Sequence, residues 1–211
     1  MKQEFKGSEM LSPVPAVMVS LGEGDEANII TVAWTGIINS RPPMTYVSIR
    51  KERHSHDILM KTGEFVINLT TEALVQKTDW CGVKSGRDFD KWKETGLTKE
   101  PASEVKCPMI AESPVNLECR VTEVKELGSH DMFMAEIVKV HVDDSIIDED
   151  GHFDVVRAGL VAYIHGHYYT VNRKPLGRFG FSVMKPKTKK RLNKEAHQKR
   201  VEANRKKRMS K

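Results

Sequence analysis

The sequence has few cysteines and no long apolar run. Its 211 residues include three cysteines, Cys81, Cys107 and Cys119, and no CxxC pair. An odd number of thiols without paired spacing indicates reduced cysteines and predicts no structural disulfide. No stretch approaches the roughly 20 apolar residues that span a bilayer, and residues 1–10 lack the apolar stretch of a secretory signal. We therefore expect a soluble, cytoplasmic protein without membrane contact.

Common hydrolytic and nucleotide-binding motifs are missing as well. The sequence contains no GxSxG elbow, no HExxH pair and no GxxxxGK[ST] loop, the signatures of many serine hydrolases, zinc proteases and P-loop proteins. A bound cofactor that carries the chemistry would explain their absence, because hydride transfer needs positioning more than it needs a protein base.

Charge is divided unevenly along the chain. The net formal charge is +5, yet residues 185–211 alone hold 13 Lys/Arg against Glu195 and Glu202, which leaves −6 for the rest. This asymmetry predicts a globular domain over residues 1–184 and a basic extension over residues 185–211 that is helical or disordered. Such an extension either binds a polyanion such as nucleic acid or is simply a solvated tail.

The body of the sequence favours a mainly β fold. Runs of β-branched residues separated by Gly- and Pro-containing turns predict strands AVMVSL, NIITVAWTG, TYVSI and EFVINL. Two long alternating runs, residues 116–127 and 132–143, predict a hairpin, and residues 160–171 predict one more strand. Five or more strands with short inserted helices indicate a barrel.

Three short helices are expected between the strands. Ser55 and Asp57 are plausible N-terminal caps for a helix that ends at Gly63. A second helix is predicted from Thr71 to about Trp80, followed by a loop, and a third around residues 89–93.

Several dispersed segments carry a family resemblance. They are NIITVAWTG, Ser40–Pro43, Val47–Ile49, Arg53–Ser55 and Phe65–Asn68, joined by an SGxxxDK-like loop within Cys81–Lys91 and by Leu176–Gly180. In this order and spacing the chain resembles the flavin reductase-like family, including its flavoredoxin branch, over roughly residues 8–182. The Leu176–Gly180 segment resembles the closing strand of that family.

The resemblance implies an FMN-binding split β-barrel that forms a homodimer. It implies electron transfer from NAD(P)H through FMN to an acceptor, which is free flavin, a ferric complex or a partner protein. The cofactor-binding residues that it implies are Thr31, Val32, Ala33, Trp34, Thr35, Ser48, Arg53, His54, Ser55, Asn68, Lys84 and Ser85.

The chemistry of these residues suits a flavin phosphate ester. The backbone of Thr31–Thr35 offers donors and acceptors for the polar edge of the ring, with Trp34 as a cover and Thr35 as a further donor. Arg53 and Ser55, next to open amides at a helix start, suit a phosphate dianion. Ordinary alternatives exist: Trp34 as barrel core, and Arg53 and Ser55 as capping and solvated residues.

Two other features suggest weaker hypotheses. The pairs His54/His56 and His165/His167 have HxH spacing, which on a strand places both rings on one face and would hold a metal if a third ligand were near. Cys81 borders the SGxxxDK-like loop, where a thiol is either redox-active or simply buried. The favoured interpretations are hydrogen-bonded surface histidines and a buried, unreactive thiol.

Three functions remain open from the sequence. The first is an NAD(P)H-dependent flavin reductase-like oxidoreductase. The second is a flavoredoxin-like electron carrier that holds FMN tightly and has little nicotinamide activity. The third is a nucleic-acid-binding protein that acts through its basic tail. Fold alone does not choose among them.

Overall fold

The computed structural model describes residues 1–171, 174–194, 198 and 201. The described residues contain twelve strands, three named helices and a helical stretch at residues 186–194. The strands are β1 (Val14–Pro15), β2 (Val17–Leu21), β3 (Asn28–Val32), β4 (Thr35–Ser40), β5 (Pro43–Arg50), β6 (Glu64–Leu69), β7 (Lys99–Glu100), β8 (Met109–Ile110), β9 (Val115–Glu126), β10 (His130–Val142), β11 (Val161–Ile164) and β12 (His167–Thr170). The helices are α1 (His54–Thr62), α2 (Val75–Val83) and α3 (Lys91–Thr95).

Seven strands form one antiparallel sheet in the order β3-β2-β6-β9-β10-β5-β4. Its two edge strands, β3 and β4, are consecutive in the chain and are joined only by Ala33 and Trp34. A sheet whose two edges are covalently joined has to curl on itself, as a barrel does. The amide of Ser48 on β5 donates to the Trp34 carbonyl at 2.9 Å and fixes this junction. The predicted mainly β split barrel with short helices is confirmed.

The barrel has apolar contacts on both sides of its wall. Every residue of β2 is buried, which explains why its sequence lacks the apolar–polar alternation of a half-exposed strand. The interior cluster contains Val17, Val19, Leu21, Ile30, Val32, Val47, Ile49, Phe65, Ile67, Phe133 and Ala135. A second cluster, outside the wall, joins Met18 and Ile29 to residues of α2, α3 and β8 such as Cys81, Trp92 and Ile110.

The predicted helices are found, with shifted bounds. Helix α1 ends at Gly63, whose φ of 65° is left-handed, as expected for a C-terminal glycine. Arg53, not Ser55, occupies its N-cap position. The second helix begins with a 3-10 turn at Glu72–Leu74 and α2 then continues through Val83, so Cys81 and Gly82 lie in a helix and not in the expected loop.

Three strand predictions need correction. NIITVAWTG is two strands, because the ladder breaks at Ala33 and Trp34. Residues 160–171 are likewise two strands, β11 and β12, joined by a tight turn in which His165 and Gly166 have positive φ angles of 44° and 86°. Leu176–Gly180, expected as a closing strand, forms no strand. The long hairpin is confirmed as β9 and β10.

The chain divides into two compact units, Met1–Arg173 and Lys174–Lys211. The predicted boundary at residue 184 stays a prediction. In the second unit, Phe181–Val183 is a 3-10 turn and residues 186–194 are helical. The remainder of the predicted extension, apart from residues 198 and 201, lies outside the described residues. Among the described residues no helix is long and apolar enough to cross a membrane.

A buried carboxylate fastens the loop after β7 to the barrel. Glu118 of β9 is fully buried and accepts hydrogen bonds from the amides of Ser103, Glu104 and Val105, at 3.0, 2.6 and 2.9 Å. His141 Nε2 lies 2.5 Å from Glu118 Oε1. Burial by itself raises the pKa of Glu118, but the hydrogen bonds from Ser103, His141 and Glu104 outweigh it and lower that pKa to about 2.

Glu118→Gln is predicted to lower the free energy of unfolding by about 1–3 kcal/mol at neutral pH, because a glutamine places donors against buried amide donors. Since the folded pKa is depressed, the stabilisation exists above the unfolded pKa and is lost as pH falls from about 4.5 towards 2. Urea titrations across that range check both effects. Glu123→Gln, on an exposed position of β9, is the matched control, and equal behaviour of the two variants would contradict the assignment.

Candidate functional site

Two adjoining cavities lie beside the break between β3 and β4. The first has a volume of about 380 Å³ and the second about 430 Å³. They share Ile30, Arg50 and Arg53 in their walls. Together they make one elongated site whose two ends differ in chemistry.

The first cavity is the aromatic end. Trp34, His130, Tyr163 and Tyr168 line it. Trp34 is 46% exposed and stacks on the His130 ring at 6.4 Å with an interplanar angle of 8°. The interpretation of Trp34 as barrel core is therefore wrong. Burial, with a smaller effect of Arg50, lowers the pKa of His130, which favours the neutral imidazole at neutral pH.

Tyrosine and aspartate close one side of this cavity. The Tyr168 hydroxyl donates to Asp79 Oδ1 at 3.2 Å. Burial and the adjacent Asp79 charge raise the pKa of Tyr168 to about 12. Tyr163 contacts the Tyr168 ring edge-on at 5.3 Å. Tyr168 is thus neutral at neutral pH, with its hydroxyl and its ring both in contact with the wall of the cavity.

The end of β3 forms the opposite wall. Thr31, Val32, Ala33 and Trp34 line the first cavity together with Ser48. The Thr31 hydroxyl donates to the carbonyl of Thr78 on α2, so it anchors the helix to the strand. Because Ala33 and Trp34 lie outside the ladder, the backbone here leaves the sheet at the edge of the cavity.

The second cavity is cationic. Four cations, Arg50, Arg53, Lys84 and Lys91, line it against a single carboxylate, Glu52. His54, Ser55 and Ser85 complete the polar wall. The excess of positive charge, with hydroxyl donors and the first turn of α1 at the same place, has the chemistry that suits an anion.

Lys91 is the most unusual of these cations because it is only 4% exposed. Its Nζ donates to the carbonyl of Cys81 at 2.7 Å. Burial, aided by the nearby positive charge of Arg53, lowers the pKa of Lys91 to about 8. A buried ammonium beside a second cation is stabilised by an anion bound between them.

Asn28 orients one of the hydroxyl donors. Asn28 Nδ2 donates to Ser55 Oγ at 2.9 Å, and both residues are buried. Because this oxygen accepts from Asn28, its own hydrogen is left to donate towards the cavity. Gly86 approaches the Asn28 side chain so closely that a Cβ at position 86 would overlap it. The loop at Lys84–Gly86 therefore rests directly on Asn28.

The structure does not bring Thr35 and Asn68 to these two cavities. The Thr35 hydroxyl donates to the Tyr46 carbonyl at 2.5 Å, and the side chain is buried in the β4–β5 ladder. Asn68 is fully buried; its amide donates to the Met18 carbonyl at 3.1 Å and accepts from the Ile110 amide at 2.9 Å. Both side chains form hydrogen bonds within the protein. From the sequence of the strand alone, such a residue cannot be told from one that contacts a ligand.

The two histidine pairs do not have the arrangement that a metal site on a strand would need. His54 and His56 lie on α1, where His54 borders the cationic cavity and His56 Nε2 lies 2.8 Å from Asp131 Oδ2. His165 and His167 flank a turn and are exposed. Neither pair belongs to a group of three potential metal ligands among the described residues.

Cys81 is fully buried, and burial raises the pKa of its thiol to about 11. A thiol in that environment is protonated and unreactive at neutral pH. The structure therefore fits a buried, unreactive Cys81 better than a redox-active one.

Sequence reasoning missed several residues of the site. Asn28 and Lys91 stood inside the quoted motifs, as the first residue of NIITVAWTG and the last of the SGxxxDK-like loop. Tyr163 and Tyr168 stood in a predicted strand without a recognisable signal. His130 lay in the predicted hairpin turn, between residues 127 and 132, whereas in the structure it is the first residue of β10 and pairs with Arg50 of β5.

Comparisons with known proteins agree on the family. Residues 9–172 match the Flavin reductase like domain family. A flavoredoxin from Desulfovibrio vulgaris (Miyazaki F) is 30% identical and superposes with a TM-score of 0.80 over 86% of this chain and 100% of its own. An uncharacterized protein from Archaeoglobus fulgidus is 30% identical over 164 residues, 78% of this chain and 91% of its own. An NADPH-flavin oxidoreductase from Streptomyces viridifaciens is 23% identical over 64% of this chain and 70% of its own. The chain belongs to the flavin reductase-like family.

Proposed function

We propose that the protein is an FMN-binding oxidoreductase that passes electrons from NAD(P)H through FMN to an acceptor. The observation that carries the proposal is the continuity of an aromatic cavity with a cationic one across Ile30, Arg50 and Arg53. FMN has the same polarity along its length: a flat ring at one end and a phosphate at the other. When bound, FMN would supply the capacity to accept and release a hydride.

The donor set fits the phosphate of FMN. Arg53 borders both cavities, and its Nη1 is held by the Gly82 carbonyl at 3.3 Å. Lys84 and Ser85 reach the same end from the loop after α2, Lys91 from the start of α3 and Ser55 from the start of α1. Charge-assisted hydrogen bonds from several directions are what a dianion requires.

The ring end suits a flavin held beside the β3 terminus. Trp34 and the two tyrosines give flat apolar walls, while the backbone at Ala33 gives polar groups along one edge. Neutral His130 and neutral Tyr168 add donors without adding charge. We assign the orientation of the ring to these residues, and the proton and electron chemistry to the cofactor.

A second candidate is a flavoredoxin-like electron carrier. It is favoured by the likeness to the Desulfovibrio flavoredoxin along that protein's full length. In this case FMN is held tightly, nicotinamide reacts slowly, and a partner protein delivers the electrons. The NADPH-flavin oxidoreductase among the relatives favours the first candidate.

The proposal includes a homodimer in the cytoplasm. Ile37 and Ile38 on the edge strand β4 are 71% and 44% exposed, next to half-exposed Trp34. An exposed apolar edge strand of this kind is normally covered. A second copy of the chain would cover it and enclose the aromatic cavity from its open side.

Anaerobic mixing of the FMN-loaded protein with NADH or NADPH separates the two candidates. The reductase predicts rapid loss of the visible absorbance of the flavin, followed by its return when free flavin or a ferric complex is added. A carrier would be reduced by dithionite at once but by neither nicotinamide within the same time. Failure of the purified protein to take up one FMN per chain would contradict both candidates.

Arg53→Ala is predicted to weaken FMN binding by about 1.5–3 kcal/mol, which is roughly 10- to 100-fold, because one charge-assisted contact to phosphate is removed. Riboflavin, which lacks the phosphate, should bind the variant and the parent protein equally. Flavin fluorescence titration measures both. An equal loss for both flavins, or an unfolded variant, would show that Arg53 is structural; Arg157→Ala, outside the lining of both cavities, is the control.

FMN affinity is also predicted to fall as pH rises through about 8, the lowered pKa of Lys91. Above that pH the free protein has a neutral Lys91, so binding the dianion requires uptake of a proton, and the apparent dissociation constant rises by up to about tenfold per pH unit. Riboflavin should show no such step. Lys91→Gln should abolish the step, while Lys93→Gln on the exposed side of α3 should keep it.

A further inference from the structure

The C-terminal unit differs in charge from the rest of the chain. Residues 174–211 hold 15 Lys/Arg and two Glu, a formal charge of +13, while residues 1–173 carry −8. Within residues 174–194, which the structure describes, there are eight basic residues and no acidic one: Lys174, Arg178, Lys185, Lys187, Lys189, Lys190, Arg191 and Lys194. All eight are exposed. None of this charge belongs to the proposed flavin site.

Helical geometry gathers part of this charge on one face. Lys187, Lys190 and Lys194 lie at positions i, i+3 and i+7 of helical residues 186–194, and residues at this spacing share a face. At a rise of 1.5 Å per residue they extend over about 10 Å. Three lysines on one face over this length form a row of positive charge, which is what contact with a phosphate backbone requires.

Exposed aromatic rings precede these cations in the same unit. Phe179 and Phe181 are 106% and 59% exposed. The unit begins at Lys174, so both rings belong with the cationic helix and not with the barrel. Cations that follow a phosphate backbone, combined with exposed rings on which bases stack, are the features of proteins that bind single-stranded nucleic acid.

We propose that residues 174–194 form a binding surface for single-stranded nucleic acid, independent of the flavin site. The helix does not suit a lipid surface, because Leu192 is the one large apolar residue within residues 186–194, and an interfacial helix needs a continuous apolar face. The first unit carries a net charge of −8, so its surface as a whole does not attract a polyanion in the way that residues 174–194 do.

Fluorescence anisotropy of a labelled oligothymidylate of about 20 nucleotides, longer than a typical single-strand site, tests the proposal with the full FMN-loaded chain. The logarithm of the affinity should fall linearly with the logarithm of the salt concentration. The triple variant Lys187→Gln, Lys190→Gln, Lys194→Gln should bind at least about tenfold more weakly, with a salt slope smaller by about 2. Phe179→Ala with Phe181→Ala should weaken binding roughly tenfold without changing that slope.

The matched control neutralises three exposed lysines of the first unit, Lys93, Lys125 and Lys139, and should bind like the parent protein. FMN content and mass by light scattering should stay constant in every variant, which shows that folding is intact. Equal losses in the control and tail variants would overturn the proposal. The proposal would also be overturned if the protein bound phosphatidylserine vesicles more tightly than the oligothymidylate. The same holds if a duplex bound with the same affinity as the single strand and the two phenylalanine substitutions left that affinity unchanged.

Discussion

The break between β3 and β4 is the constraint on which the site depends. Both strands are edges of the same sheet and are joined by two residues, so the sheet curls until its edges approach each other. A complete ladder would satisfy every backbone group and leave no opening. Because Ala33 and Trp34 leave the ladder while the Trp34 carbonyl still accepts from Ser48, the barrel stays folded and open at one place. The aromatic cavity lies at that opening.

The cationic cavity contains a buried charge that lowers the stability of the fold. Four cations face one carboxylate there, and the buried Lys91 ammonium donates to the carbonyl oxygen of Cys81. Burying an ammonium costs several kcal/mol before compensation, and the lowered pKa of Lys91 expresses that cost. Glu118 shows the opposite design: a buried charge fully supplied with donors, whose pKa is lowered to about 2 and whose role is to hold a loop. A buried charge with one neutral partner suits a ligand site, whereas a buried charge with several donors suits a structural role.

The sequence predicted the strands well where alternation or β-branched runs were strong, as in β2, β6 and the β9–β10 hairpin. Of the twelve cofactor-binding residues that the family resemblance implies, ten line one of the two cavities; their role in binding stays a prediction. The sequence failed where tertiary contacts decide. Asn68 is polar and lies in a strand, but its hydrogen-bond partners come from three other strands, β2, β8 and β9. His130 becomes part of the site only through strand pairing, and α2 continues through Gly82, which packs closely on the Thr31 side chain.

The C-terminal unit shows the same limit at the level of domains. Charge counting separated residues 185–211 from the rest, because lysine and arginine begin to dominate there. The division by contacts begins the second unit at Lys174, so Phe179 and Phe181 belong to the same unit as the cations. A count of charges describes a tail that any polyanion would attract, since screened Coulomb forces do not distinguish one phosphate polymer from another. Exposed rings beside the cations would add a preference for unpaired bases, because bases stack on rings. That preference requires the phenylalanines and the lysines to lie on the same surface.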